Sequence, residues 1–69
     1  MDFMLKGIYI ELDNLLKAAG MVASGAQAKA CIQAGSLKVN GEVETRVRRK
    51  LHAGDIVELS GNTITIIGS

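Results

Sequence analysis

The chain has 69 residues, no proline, one cysteine, two aromatic residues and a formal net charge of +1. That length leaves room for a single domain, a lone thiol cannot form an internal disulfide, and one cysteine with one histidine falls short of the roughly four ligands of a structural zinc. With 48% apolar and 22% charged residues the composition is globular, and a total of +1 argues, taken at face value, against a nucleic-acid partner.

The first residues, Met1 to Gly7, carry an early acid and no apolar stretch after a basic start, so they do not read as a signal peptide. No run approaches the roughly 18–20 apolar residues of a membrane span, and a lone thiol fits a reducing interior. The expectation is a cytoplasmic protein with no membrane partner. Ile8-Tyr9-Ile10-Glu11 reads as a short strand, rich in β-branched and aromatic types.

The period then changes. Leu12, Leu15, Leu16 and Ala19 fall at i, i+3, i+4 and i+7 and form one apolar stripe on a helix. Asp13 complements the start of its dipole, Lys17 lies toward its end, and Gly20 supplies the left-handed residue that stops it. A second helix opens at Ser24, an N-cap whose capping box is completed by Gln27. Ala28, Cys31, Ile32 and Gly35 share a face, and Gly35 ends the helix. The small residues Ala26, Ala28 and Ala30 predict close approach of another element, the first helix being the natural one.

From Leu37 the pattern is β. Asn40-Gly41 marks a turn, and two registers are open. A two-residue loop sets Val39 opposite Glu42 and Leu37 opposite Glu44. A three-residue loop sets Leu37 opposite Val43 and Lys38 opposite Glu42. Keeping apolar partners on one face favours the three-residue loop, with Gly41 in a left-handed bulge position. Ala53-Gly54-Asp55 turns into a strand at Ile56 to Leu59, and Ser60-Gly61-Asn62 turns into another at Thr63 to Ile67. The order is β, α, α and then several short strands, an α+β arrangement in one domain over 1–69 with its core at about 8–67.

The charge is unevenly spread. Residues 1–28 carry −1, residues 29–50 carry +4 and residues 51–69 carry −2. The basic middle holds Lys29, Lys38, Arg46, Arg48, Arg49 and Lys50, with only Glu42 and Glu44 to offset them. Such a run is often a solvated loop, but here it directly follows the hairpin that contains Lys38, and Lys29 lies on the adjoining helix. Six cations can converge on one side, and arginine's planar fork matches phosphate oxygens. A face of that kind draws polyphosphate by releasing its counterions. At the start of the second helix, Ser24 and Gly25 are open to two readings, a phosphate site at a helix N-terminus or only a cap and a tolerated glycine.

These residues carry a resemblance. Leu12-Asp13, Gly20, Ser24, Gln27-Ala28-Lys29, Ile32, Gly35, Leu37-Lys38-Val39-Asn40-Gly41 and Gly54-Asp55-Ile56-Val57 resemble the αL motif of the S-four-type RNA-binding domain, over roughly residues 11–59. Ser24 to Lys29 and Asn40 to Arg46 look most like a short stand-alone bacterial subgroup. The resemblance implies two short helices packed on a small, mostly antiparallel sheet. It implies that RNA meets the second helix, the hairpin and the basic segment, with Ser24, Gln27, Lys29, Lys38, Asn40 and Arg46 as contacts. Arg48, Arg49 and Lys50 join them on the charge argument. Many members carry arginine where this chain has Glu11, Gly25 and Lys29, so basic density is shifted here toward residues 46–50.

No other residue set points to chemistry. Cys31 reads as a small buried hydrophobe, His52 as a turn-edge surface residue, Asp55 as a turn residue and Tyr9 as core or rim. No serine, histidine and acid combination has supporting context, so no catalysis, cofactor or small-molecule substrate is expected. Two aromatics are too few for a base-stacking platform, which leaves phosphate and shape. The expectation is a monomeric, non-catalytic binder of structured or duplex RNA, with ribosomal RNA, transfer RNA and a messenger hairpin all fitting. The alternative is a protein-interaction module whose basic face meets an acidic partner.

Overall fold

The computed structural model describes residues 1–68; the last residue of the 1–69 assignment lies outside them. Helix α1 (Leu12–Ala18) forms where the leucine stripe predicts it, and Leu12, Leu15 and Leu16 are fully buried. Gly20, at φ 75°, provides the left-handed residue after its last turn. Helix α2 (Gly25–Gln33) packs against α1 through Ala28 and Ile32. Ser24 Oγ accepts the Gln27 N–H at 3.2 Å, as a capping box requires. The reciprocal bond reaches one residue further back, because Gln27 Oε1 accepts the Ala23 N–H at 2.6 Å. Ala26 and Ala30 are exposed, so the close contact expected of three alanines falls to Ala28 alone, and Cys31 is half-buried.

Among the described residues seven strands accompany the helices: β1 (Asp2–Leu5), β2 (Ile10–Glu11), β3 (Leu37–Val39), β4 (Glu42–Val43), β5 (Lys50–Leu51), β6 (Ile56–Leu59) and β7 (Asn62–Gly68). Five form a sheet in the order β1-β7-β6-β3-β4, and β2 pairs with β5 in a second. Every pairing is antiparallel except β1 with β7. Leu37, Val39, Val57, Leu59, Ile64 and Ile66 face the helices and share one cluster with them. Lys38 and Glu58, paired across β3 and β6, lie on the solvent face. The architecture is the expected one of two short helices on a mostly antiparallel sheet.

Three local expectations need correction. The strand expected over residues 8–11 contracts to β2, and Ile8 is 82% exposed. The core begins earlier than residue 8, because β1 joins the sheet and buries Leu5. Its partner β7 lies at the other end of the sequence, so no local turn announces the pairing.

The third correction is the hairpin register. Lys38 pairs with Val43 and Val39 with Glu42, which is the two-residue loop. Asn40 and Gly41 both take positive φ, 53° and 84°, as the favoured hairpin turn demands. Val43 therefore points to solvent, 56% exposed, and Glu44 turns inward to 6%. Matching apolar partners misled because the inward position holds a carboxylate whose charge is met by arginines. Ser60 and Gly61 repeat the positive-φ pair, at 51° and 80°, and start β7 at Asn62.

Candidate nucleic-acid interface

The basic segment is built onto the start of α1. That helix has no side-chain cap: Glu11 precedes it in extended conformation without accepting a capping bond. Its first N–H groups would be orphaned. The Leu12 N–H donates instead to the Arg49 carbonyl at 2.9 Å, and the Asp13 N–H to the Val47 carbonyl at 3.1 Å. Val47 packs half-buried against the core, while Arg46 and Arg48 on either side of it are exposed. The loop between β4 and β5 is thus fixed by its backbone and by one apolar anchor, leaving Arg46 and Arg48 outward.

Glu44 organises two of those cations. Its Oε1 accepts from Arg46 Nη2 at 2.9 Å and from Arg49 Nη1 at 3.0 Å. Arg46 Nε adds a bond at 3.2 Å, and the Thr45 N–H donates to Oε2 at 3.1 Å. The hydrogen bond from Arg46 dominates and holds the carboxyl at about 2 from an ordinary 4.5, against burial, which pushes it upward; Arg49 adds to the lowering. The Arg46 side chain stays 73% exposed although one edge is pinned. Arg48 and Lys50 form no ion pair among the described residues. Arg46, Arg48, Arg49 and Lys50 together line an open concavity of about 550 Å³, and each of these four lining residues carries a positive charge.

The other sequence-identified residues are distributed around this centre. Ser24 and Gln27 sit at the start of α2, engaged in the cap, and Lys29 is exposed on the same helix. The Lys17 ammonium also reaches that end, 3.8 Å from where a Cβ at Gly25 would lie. Seven residues of α1, roughly 10 Å, separate it from the end that carries the basic loop. Lys38 does not converge with the loop: it stands on the open sheet face opposite Glu58. Asn40 knits two turns. Its Nδ2 donates to Asp55 Oδ1 at 3.0 Å, and its Oδ1 accepts the Ile56 N–H at 2.8 Å. Burial raises the Asp55 carboxyl, but the bonds from Asn40 and from the His52 N–H outweigh it and leave it below its ordinary value.

Sequence reasoning missed the parts played by Glu44 and Lys17. The signal for Glu44 was its spacing, two and five residues before Arg46 and Arg49. The signal for Lys17 was weak, because its proximity to Gly25 depends on how the two helices turn.

Comparison with known proteins bears on this arrangement. A family model described as the S4 domain matches residues 3–67. The chain belongs to the S4 domain family. As an S4 domain it is 46% identical over 59 residues to an Escherichia coli protein named "Putative RNA-binding protein YbcJ", covering 86% of this chain and 84% of that one. It is 40% identical over 52 residues to a Bacillus subtilis protein named "Probable ribosome maturation protein RlbA", covering 75% of this S4 domain and 73% of the relative. The solution structure of YbcJ, whose description speaks of an αL motif involved in RNA binding, superposes with a TM-score of 0.74 at 45% identity, over 96% of this chain and 85% of that one.

Proposed function

We propose that this S4 domain is a small non-catalytic RNA-binding protein that holds structured RNA by its phosphates and shape. The observation that carries the reading is the concavity lined wholly by Arg46, Arg48, Arg49 and Lys50, fixed to the first turn of α1. Guanidinium groups oriented by a buried carboxylate present fixed donors to phosphate oxygens at a low entropic cost. The descriptions of YbcJ support RNA as the partner, and the name of the Bacillus relative supports a place in ribosome maturation. Ser24, Gln27, Lys29 and Lys17 extend the footprint along the helices. Lys38 and Asn40 stand outside its centre.

The test must respect Glu44. Neutralising Arg46 and Arg49 would strand a buried carboxylate, which is strongly destabilising. Arg48 and Lys50 carry no such obligation. The double variant Arg48→Gln/Lys50→Gln is expected to keep the wild-type circular dichroism. Its salt slope for a blunt RNA hairpin should be shallower by about 1.5, and its affinity at low salt roughly tenfold weaker. Binding of that hairpin with wild-type affinity and slope would overturn the reading.

A further inference from the structure

Tyr9 stands where the basic concavity ends. The Lys50 ammonium, part of that lining, lies 5.0 Å from the centre of the Tyr9 ring. The ring also borders a groove of about 350 Å³ lined by Phe3, Met4, Leu5, Lys6 and Ile10. The His52 ring lies 6.5 Å away, tilted at 53°. Tyr9 itself is 40% exposed. One aromatic ring therefore joins a cationic surface to an apolar groove.

We propose that this groove takes an unpaired nucleobase, stacked on Tyr9, from the same RNA whose phosphates lie on the basic concavity. The inference rests on the RNA reading above and extends it from phosphate contact to base contact. The occupant follows from the continuity of the two surfaces. A nucleotide joins an anionic phosphate to a flat, largely apolar base, and Lys50 and Tyr9 present the matching pair within one side-chain contact. A cation over the ring favours the same geometry, since it holds the tyrosine in place and meets the phosphate. A single stack needs no platform, and a base–aromatic contact tolerates any base because each has a π-face. The target is then a helix bearing a bulge or single-stranded flank rather than a continuous duplex.

Tyr9 is the sole tyrosine of a chain without tryptophan, so its emission reports on the site directly. The probes are a blunt RNA hairpin, the same hairpin with unpaired adenosine flanks, and inorganic polyphosphate, which has charge but no base. The flanked hairpin is expected to quench the tyrosine emission and to bind at least about fivefold more tightly than the blunt one. Polyphosphate should leave the emission nearly unchanged. Tyr9→Leu should erase the preference for the flank while blunt-hairpin affinity stays within about twofold, and Tyr9→Phe should keep the preference. Equal binding of the two hairpins by wild type, or equal quenching by polyphosphate, overturns the base site and leaves the phosphate reading intact. Failure to bind either hairpin overturns both. Concentration-dependent emission of the free protein together with dimer sedimentation would assign the groove to a second copy, and also overturns the proposal.

Discussion

Glu44 concentrates the difference between charge and arrangement. If the domain held RNA by total charge, Glu44→Gln would tighten binding, since it removes an acid from the basic face. If the carboxylate orients Arg46 and Arg49, the same change loosens it. We expect the second outcome, a loss of roughly tenfold for a blunt RNA hairpin, equivalent to about 1.4 kcal/mol. Affinity for heparin, which rewards charge alone, should rise. Acid titration gives an independent sign. The native carboxyl protonates at about 2, against 4.5 for its ordinary value. Between those values the unfolded chain binds more protons than the folded one, so stability rises with pH across the window and is lost as pH falls through it. Urea midpoints measured down this range should fall for wild type, with the Glu44 share of that fall missing in Glu44→Gln. The acid's proximity to the arginines was legible in the sequence. Its burial was not, because burial followed from a hairpin register that apolar matching inverts.

At the scale of elements, local signals were read well and distant ones poorly. Both helices, with the Ser24 cap and the Gly20 and Gly35 stops, lie where stripe and punctuation put them, since each signal sits within its own segment. Strand β1 escaped because its partner lies at the other end of the sequence, and the basic loop gave no hint that its carbonyls would close the first turn of α1. Asn40 shows how a resemblance and a structure assign one residue differently. Resemblance makes it an RNA contact, whereas its side chain is spent joining the β3–β4 turn to Asp55 and Ile56. Asn40→Gly keeps the left-handed turn and deletes those bonds. It should lower stability by about 1–2 kcal/mol, read by urea unfolding. Affinity of the folded protein for a blunt RNA hairpin should stay within about twofold. A tenfold loss of affinity with unchanged stability would make Asn40 a contact after all.

For the molecule as a whole, the small core sets the margin. One aliphatic cluster joins both helices to the sheet, with Leu12, Leu15, Leu16 and Ile32 at its helical side. Truncating a residue of this kind costs about 2–5 kcal/mol, comparable with the roughly 3–5 kcal/mol that so small a core supplies. Ile32→Ala should therefore leave much of the chain unfolded at 37 °C, seen as lost helical dichroism. A blunt RNA hairpin that binds only the folded form should restore part of that signal. The total charge of +1 conceals a +4 middle between acidic ends, and only the folded chain turns that middle into a surface.

The bonds from the Leu12 and Asp13 amides to the loop carbonyls have a dynamic consequence. The loop cannot loosen without uncovering the first donors of α1, and the helix cannot fray without releasing the loop. Helix start and arginine cluster therefore open together as one cooperative unit. A chain caught partly unfolded has no half-formed grip with which to hold an RNA in the wrong pose.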